Sequence, residues 1–155
     1  LNIMNRSLKF LVALFSLVFV LSACTGYSDS QKKAFDEKLQ VFMKKENLQL
    51  TKTSSGVYYK IVTKGKGSII KYNDKIRVMY TGKNMDVTVF DEKTTPIEFN
   101  LKNLLPAWKE ILIGQPAGSI FYIATPPQMG YGSQQAGNLP PNSCLFFEIK
   151  VMSTL

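Results

Sequence analysis

The chain has 155 residues, 45% of them apolar and 12% aromatic, enough for one domain whose core needs no disulfide or metal staple. It carries 19 basic and 11 acidic side chains, a net +8, and no histidine. The missing imidazole excludes Ser-His-Asp and Cys-His catalysis and histidine-based metal sites.

Residues 5–9 form a short basic region, and residues 10–21 an apolar run too short for a comfortable membrane span. Leu21-Ser22-Ala23-Cys24 follows. Small residues at the end of such a run mark a secretory signal peptide over residues 1–23. The placed cysteine resembles the lipobox of bacterial lipoproteins. That resemblance implies a lipid on the Cys24 sulfur and cleavage that leaves Cys24 first, with residues 24–30 as a polar tether. A plain signal peptide or an uncleaved anchor is the alternative. Thr25 is not the aspartate that commonly marks inner-membrane retention, so an outer membrane or cell surface is expected. Loss of Arg6 and Lys9 from the 19 basic residues leaves a net +6. The lysines are scattered, the pattern of a solvated surface, and no nucleic-acid partner is expected. Once Cys24 is lipidated, only Cys144 remains, and no internal disulfide can form.

Residues 31–49 read as a helix capped by Ser30. Ala34, Phe35, Leu39, Phe42 and Met43 recur at helical spacing, and Lys44 and Lys45 sit near its negative pole. One apolar stripe must pack either on the following domain or on a second copy. Residues 51–55 read as a linker, and residues 51–155 as one domain. Strands are expected over residues 57–63 and from residue 75, where Ile76, Val78 and Tyr80 share a face until Thr81-Gly82 ends the strand. A short strand over 88–90 closes on Asp91, a polar loop covers 92–95, and another short strand covers 96–99. Residues 104–113 contain a short helix with Pro106 in its first turn and Gly114 after its end. A strand over 119–125 leads into a long Gly, Pro and Asn-rich loop, 126–142, with Tyr131 between two glycines. A last strand, 144–152, alternates Leu145, Phe147, Ile149 and Val151 against Phe146, Glu148 and Lys150. The fold class is α+β: an antiparallel sheet wrapped around a short helix, preceded by an N-terminal helix.

Seven pieces now stand in order: Val78-Met79-Tyr80-Thr81-Gly82, Val89-Phe90-Asp91, Ile97-Glu98-Phe99, Leu104-Leu105-Pro106-Ala107-Trp108, Gly130-Tyr131-Gly132, Leu139-Pro140-Pro141-Asn142 and Leu145-Phe146-Phe147-Glu148-Ile149. In order and spacing they resemble the FKBP-type peptidyl-prolyl cis-trans isomerases, over about residues 56–152. The resemblance implies a substrate pocket walled by Tyr80, Phe90, Phe99, Leu104, Leu105, Tyr131, Leu139 and Phe147, with Trp108 as floor and Asp91 at the edge. It implies that the Leu105 N–H and the Tyr131 hydroxyl donate to the bound peptide, and that Tyr80 and Asp91 belong to the catalytic set. Asp91 would either charge the space near the rotating carbonyl or organise Tyr80. Where the family reads Asp-Gly this chain has Asp86-Val87, which predicts a reshaped hairpin tip. Ala107, Ile111 and Asn138 are the other departures.

The implied activity suits the composition. Rotation about an X–Pro amide breaks no bond, so it calls for no nucleophile, metal or cofactor. The implied partners are proline-containing, unfolded or exported polypeptides, and macrolide inhibitors. The alternative is a chaperone or peptide-binding module of the same fold with little turnover. The joint presence of Tyr80, Asp91, Trp108, Tyr131 and Phe147 favours the enzyme.

Overall fold

The computed structural model describes residues 26–155. The signal-peptide and Cys24 lipidation expectations lie outside the described residues.

Helix α1 spans Asp29–Lys45. Ser28, not Ser30, caps it: Ser28 Oγ accepts from the Gln31 N–H at 3.2 Å, and Gln31 Oε1 accepts from the Ser28 N–H at 2.9 Å. This reciprocal pair satisfies two donors that a bare helix end leaves open. The helix stops short of residue 49 because Asn47 turns left-handed (φ 53), which lets the Leu48 N–H reach the Met43 carbonyl at 2.8 Å.

Six strands form one antiparallel sheet: β1 (Thr51–Lys52), β2 (Tyr58–Thr63), β3 (Lys75–Lys83), β4 (Val89–Asn100), β5 (Ile120–Thr125) and β6 (Leu145–Thr154), in the order β1-β2-β5-β6-β3-β4. Helix α2 (Pro106–Leu112) lies on one face. Ile76, Val78, Phe121, Ile123, Phe147, Ile149 and Val151 meet Trp108, Ile111 and Leu112 there. The alternation expected of β3 and β6 is what selects this face.

The other face is covered in part by α1. Phe35, Leu39, Phe42 and Met43 are buried against Tyr58, Ala124, Cys144 and Phe146, with the Phe42 and Phe146 rings 5.4 Å apart. Ala34 is exposed and lies outside the stripe. Asp36 fastens the helix to β2 and β1: it accepts from the Tyr58 hydroxyl at 2.9 Å and pairs with Lys52 at 2.6 Å. Of the two fates open to the apolar stripe, packing on its own domain is the one observed. Cys144 is buried there, and loss of solvent pushes its thiol up to about 11, so it stays protonated and unreactive near neutral pH.

Three further expectations need correction. The linker contributes β1, because Thr51 and Lys52 pair with Tyr59 and Tyr58. Strand β3 runs through Thr81-Gly82 to Lys83, with Gly82 paired to Asp91 on one side and Phe147 on the other. The two short strands and the polar loop between them are one twelve-residue strand, β4. Its middle, Lys93–Pro96, carries no apolar alternation because β4 is an edge strand that faces water on its outer side. The pairing also slips there: Val78 meets Ile97 but Tyr80 meets Lys93, so the edge carries a bulge.

The β3–β4 tip spans Asn84–Thr88. Val87 enters the left-handed region (φ 67), and the Val87 N–H reaches the Asn84 carbonyl at 3.1 Å. Asn84 Oδ1 accepts from the Thr88 N–H at 3.0 Å. A β-branched residue in that conformation is strained by about 1–2 kcal/mol. Val87→Gly is therefore expected to raise stability by about 1 kcal/mol, read as a higher urea midpoint at unchanged slope. A lowered midpoint would show that the valine side chain contributes more than its backbone costs.

Candidate functional site

The candidate site draws on three strands, on α2 and on two connecting segments. Strand β3 carries Tyr80, β4 carries Phe90, Asp91 and Phe99, and β6 carries Phe147. Leu104 and Leu105 precede α2, which carries Trp108, and the segment after β5 carries Tyr131 and Leu139. Pro106 opens α2, where a missing N–H costs nothing.

Trp108 is the base, 3% exposed. The Tyr80 and Phe147 rings stand edge-on to it, with centroids at 5.1 and 5.3 Å and interplanar angles of 81° and 83°. Phe90 stands edge-on to Phe147 at 5.8 Å, and Phe99 lies 6.2 Å from Tyr80. Aromatic pairs favour this geometry because a ring edge is positive and a ring face negative. The result is an apolar cup. Tyr80, Trp108, Leu139 and Phe147 are buried, Phe90, Phe99, Leu104 and Leu105 are half-buried, and Tyr131 is 41% exposed. The set read from the sequence is brought to one apolar cluster and its rim.

Polar groups sit at two places. The Trp108 Nε1–H is buried with no acceptor among the described residues, and an orphaned donor of this kind costs about 1–3 kcal/mol. At the rim the Tyr80 hydroxyl donates to Asp91 Oδ2, and Lys93 donates to Asp91 Oδ1 at 3.1 Å. Burial alone would raise the Asp91 carboxyl; the Tyr80 and Lys93 hydrogen bonds more than reverse it and hold the carboxyl below its ordinary range. Burial, then the adjacent Asp91, pushes the Tyr80 phenol well above its ordinary value. Partial burial and the Asp91 charge also raise Tyr131. At neutral pH the rim therefore presents one ionised carboxylate and two neutral phenols. The hydrogen bond ties the Asp91 carboxylate to the Tyr80 phenol. The Leu105 N–H makes no backbone bond among the described residues, and its carbonyl accepts from Lys109 at 3.1 Å.

Two residues of the site were not singled out from the sequence. Lys93 shares a strand face with Asp91 two residues away, a spacing that could have suggested the pair. Gly82 lies beneath the cup wall. A Cβ there would come within 2.7 Å of Phe90 Cζ and 3.0 Å of Phe147 Cε1. Its signal was a glycine inside a strand, which often marks a close approach.

The family model described as FKBP-type peptidyl-prolyl cis-trans isomerase matches residues 66–152. The FKBP-type 22 kDa peptidyl-prolyl cis-trans isomerase of Escherichia coli strain K12 is 37% identical over 107 residues, covering 66% of this chain and 52% of that protein. The outer membrane protein MIP of Legionella longbeachae is 38% identical over 103 residues, 64% of this chain and 44% of that one. The chain spans about half the length of the curated relatives it matches. Among solved structures, a peptidyl-prolyl cis-trans isomerase from Pseudomonas syringae superposes with a TM-score of 0.67 at 26% identity, covering 83% of this chain and 98% of that one.

Proposed function

The chain belongs to the FKBP-type peptidyl-prolyl cis-trans isomerase family, and from that premise we propose that it accelerates rotation about X–Pro amides in proline-containing polypeptides. The observation that carries this reading is the aromatic cup on Trp108 with the Tyr80–Asp91 pair at its rim.

An X–Pro amide resists rotation by about 18–20 kcal/mol because its C–N bond is conjugated. It turns over in tens of seconds or more unaided. The twisted amide is less conjugated and less polar, so a dry cup that takes the prolyl ring favours it over the planar form. Catalysis is then tighter binding of the twisted state. Trp108 and Phe147 hold the ring, while Tyr131 and the Leu105 N–H donate to flanking carbonyls. Asp91 keeps Tyr80 fixed in the wall, so that the cup need not reorganise as the amide turns. An acceptor delivered by the substrate would relieve the orphaned Trp108 N–H.

We further propose that the protein works outside the cytoplasm, tethered by lipid on Cys24, on polypeptides that fold after export. The signal-like residues 1–23, the Leu-Ser-Ala-Cys ending and the outer-membrane name of one relative support that reading. No helix among the described residues is long and apolar enough to cross a membrane.

The test is the cis/trans rate of a short X–Pro peptide with the full chain in maltoside micelles, beside Asp91→Ala and Tyr131→Phe. Rapamycin is titrated in parallel against the fluorescence of Trp108, the single tryptophan. Acceleration is expected, reduced about tenfold or more in Asp91→Ala and less in Tyr131→Phe, with saturable quenching by the drug. Quenching without acceleration would replace the enzyme by a peptide-binding module, and neither effect would end the cup assignment.

A further inference from the structure

A cavity of about 350 Å³ opens beside the N-terminal half of α1, at the opposite end of the helix from the hairpin tip. It is lined by Lys32, Lys33 and Asp36 of α1, by Lys52, by the turn Ser54-Ser55-Gly56, and by Pro126 and Gln128. Asp36 is already engaged by Lys52 at 2.6 Å, Gln40 at 2.8 Å and Tyr58 at 2.9 Å. Its charge is cancelled within the wall. Lys32 lies 3.6 Å from a fully exposed Asp29 carboxylate, a pair of little strength. Lys33 has no acidic partner within 4 Å among the described residues. A carboxylate stands beside the turn, where Glu110 Oε2 accepts from Ser55 Oγ at 2.6 Å, but neither Lys32 nor Lys33 has an ion pair shorter than 3.6 Å among the described residues.

One further atom is out of balance. Gln128 Oε1 is buried with no hydrogen-bond donor among the described residues. An anion without an O–H, such as sulfate, would satisfy the lysines but not this acceptor. A phosphate ester bearing a hydroxyl satisfies both: its anionic oxygens meet the lysines and the Ser54 hydroxyl, and its own O–H meets Gln128.

We propose that this cleft binds a hydroxyl-bearing phosphate ester of the glycerol phosphate type. Its position names the nearest source. Lys32 stands eight residues after Cys24, at most about 20 Å of chain given the helix that starts at Asp29. A chain held at a membrane by residue 24 keeps this cleft within reach of lipid headgroups, where each lysine near an anionic surface adds to binding. The lipid source rests on the anchored reading above; the anion chemistry does not.

The test follows the amides of Ser54, Ser55, Gly56 and Gln128 by NMR in the full chain in maltoside micelles during titration with sn-glycerol 1-phosphate at constant ionic strength. Saturable shifts at these amides are expected, with affinity weakened about three- to fivefold in Lys33→Gln and unchanged in Lys45→Gln, at the other end of α1. Shifts that never saturate, or that weaken equally in both variants, overturn the site. A second arm measures hydrogen exchange of residues 52–56 and 126–128 in lipid discs. Protection in discs containing phosphatidylglycerol, absent in pure phosphatidylcholine, supports the lipid source. Saturable glycerol phosphate binding without that protection overturns the lipid source and supports a free ester. A chain that leaves both kinds of disc overturns the anchored reading, while the soluble titration still decides the cleft.

Discussion

Gly82→Ala is expected to remove most of the isomerase rate from a protein that still folds. The added methyl would stand 2.7 Å from Phe90 Cζ and 3.0 Å from Phe147 Cε1, against an ordinary carbon separation of about 3.5–4.0 Å. Phe147 has nowhere to go: it is 2% exposed and set edge-on to Trp108 and Phe90. Half-buried Phe90 must yield, and it carries the cup wall with it. A displacement near 1 Å at a binding wall costs about tenfold or more in rate, while the overpacking costs about 1–3 kcal/mol of stability. The check is kcat/KM on the X–Pro peptide beside urea unfolding. Phe90→Leu in the same background frees room and should restore part of the rate. An unchanged rate in Gly82→Ala alone would show that these two rings do not set the cup.

Leu39→Ala should have the largest effect on stability. Leu39 is fully buried between α1 and the sheet, and truncating such a side chain costs about 2–5 kcal/mol. The form of the loss matters as much as its size. The α1 cluster and the α2 cluster lie on opposite faces of the same strands, β2, β5 and β6, so the protein should unfold as one unit. Far-ultraviolet helix signal and near-ultraviolet Trp108 signal should fall at one midpoint, lower than in the parent protein. Two separated midpoints would make α1 an accessory that docks on an independent domain.

Much of this was legible in the sequence, for a physical reason. The aromatics of the cup are also core residues, so the alternation that marks strands β3 and β6 marks the walls too. Tyr80 continues the buried series of Ile76 and Val78, and Phe147 that of Leu145, Ile149 and Val151. What alternation could not show is an edge. Residues 92–95 read as a loop because apolar spacing fails there, yet Glu92 and Lys93 pair with β3 and the unpaired Thr94 and Thr95 belong to the bulge within the strand. The capping residue of α1 stands two positions before the one that the apolar spacing suggests. Ser28 and Ser30 are chemically equal, and only Gln31 three residues after Ser28 tells them apart. Gly82 and Lys93 leave no mark in the alternation because each acts through a neighbour: one by taking up no room, the other by holding a carboxylate.

The two adjacent phenylalanines of β6 divide their labour, Phe147 entering the cup and Phe146 lying under α1. Identical neighbours would by themselves make the strand indifferent to sliding by one position, since an aromatic ring would still arrive on each side. Glu148 breaks that degeneracy. In the native alignment it sits opposite Thr81 and meets Lys83 at 2.6 Å. A slide of one residue would drive Glu148 and Lys150 into the apolar space around Trp108, a transfer costing several kcal/mol for each unpaired charge. The ion pair at the back of the sheet thus serves as a key that admits only one alignment, and the shape of the cup depends on a charge that never faces it.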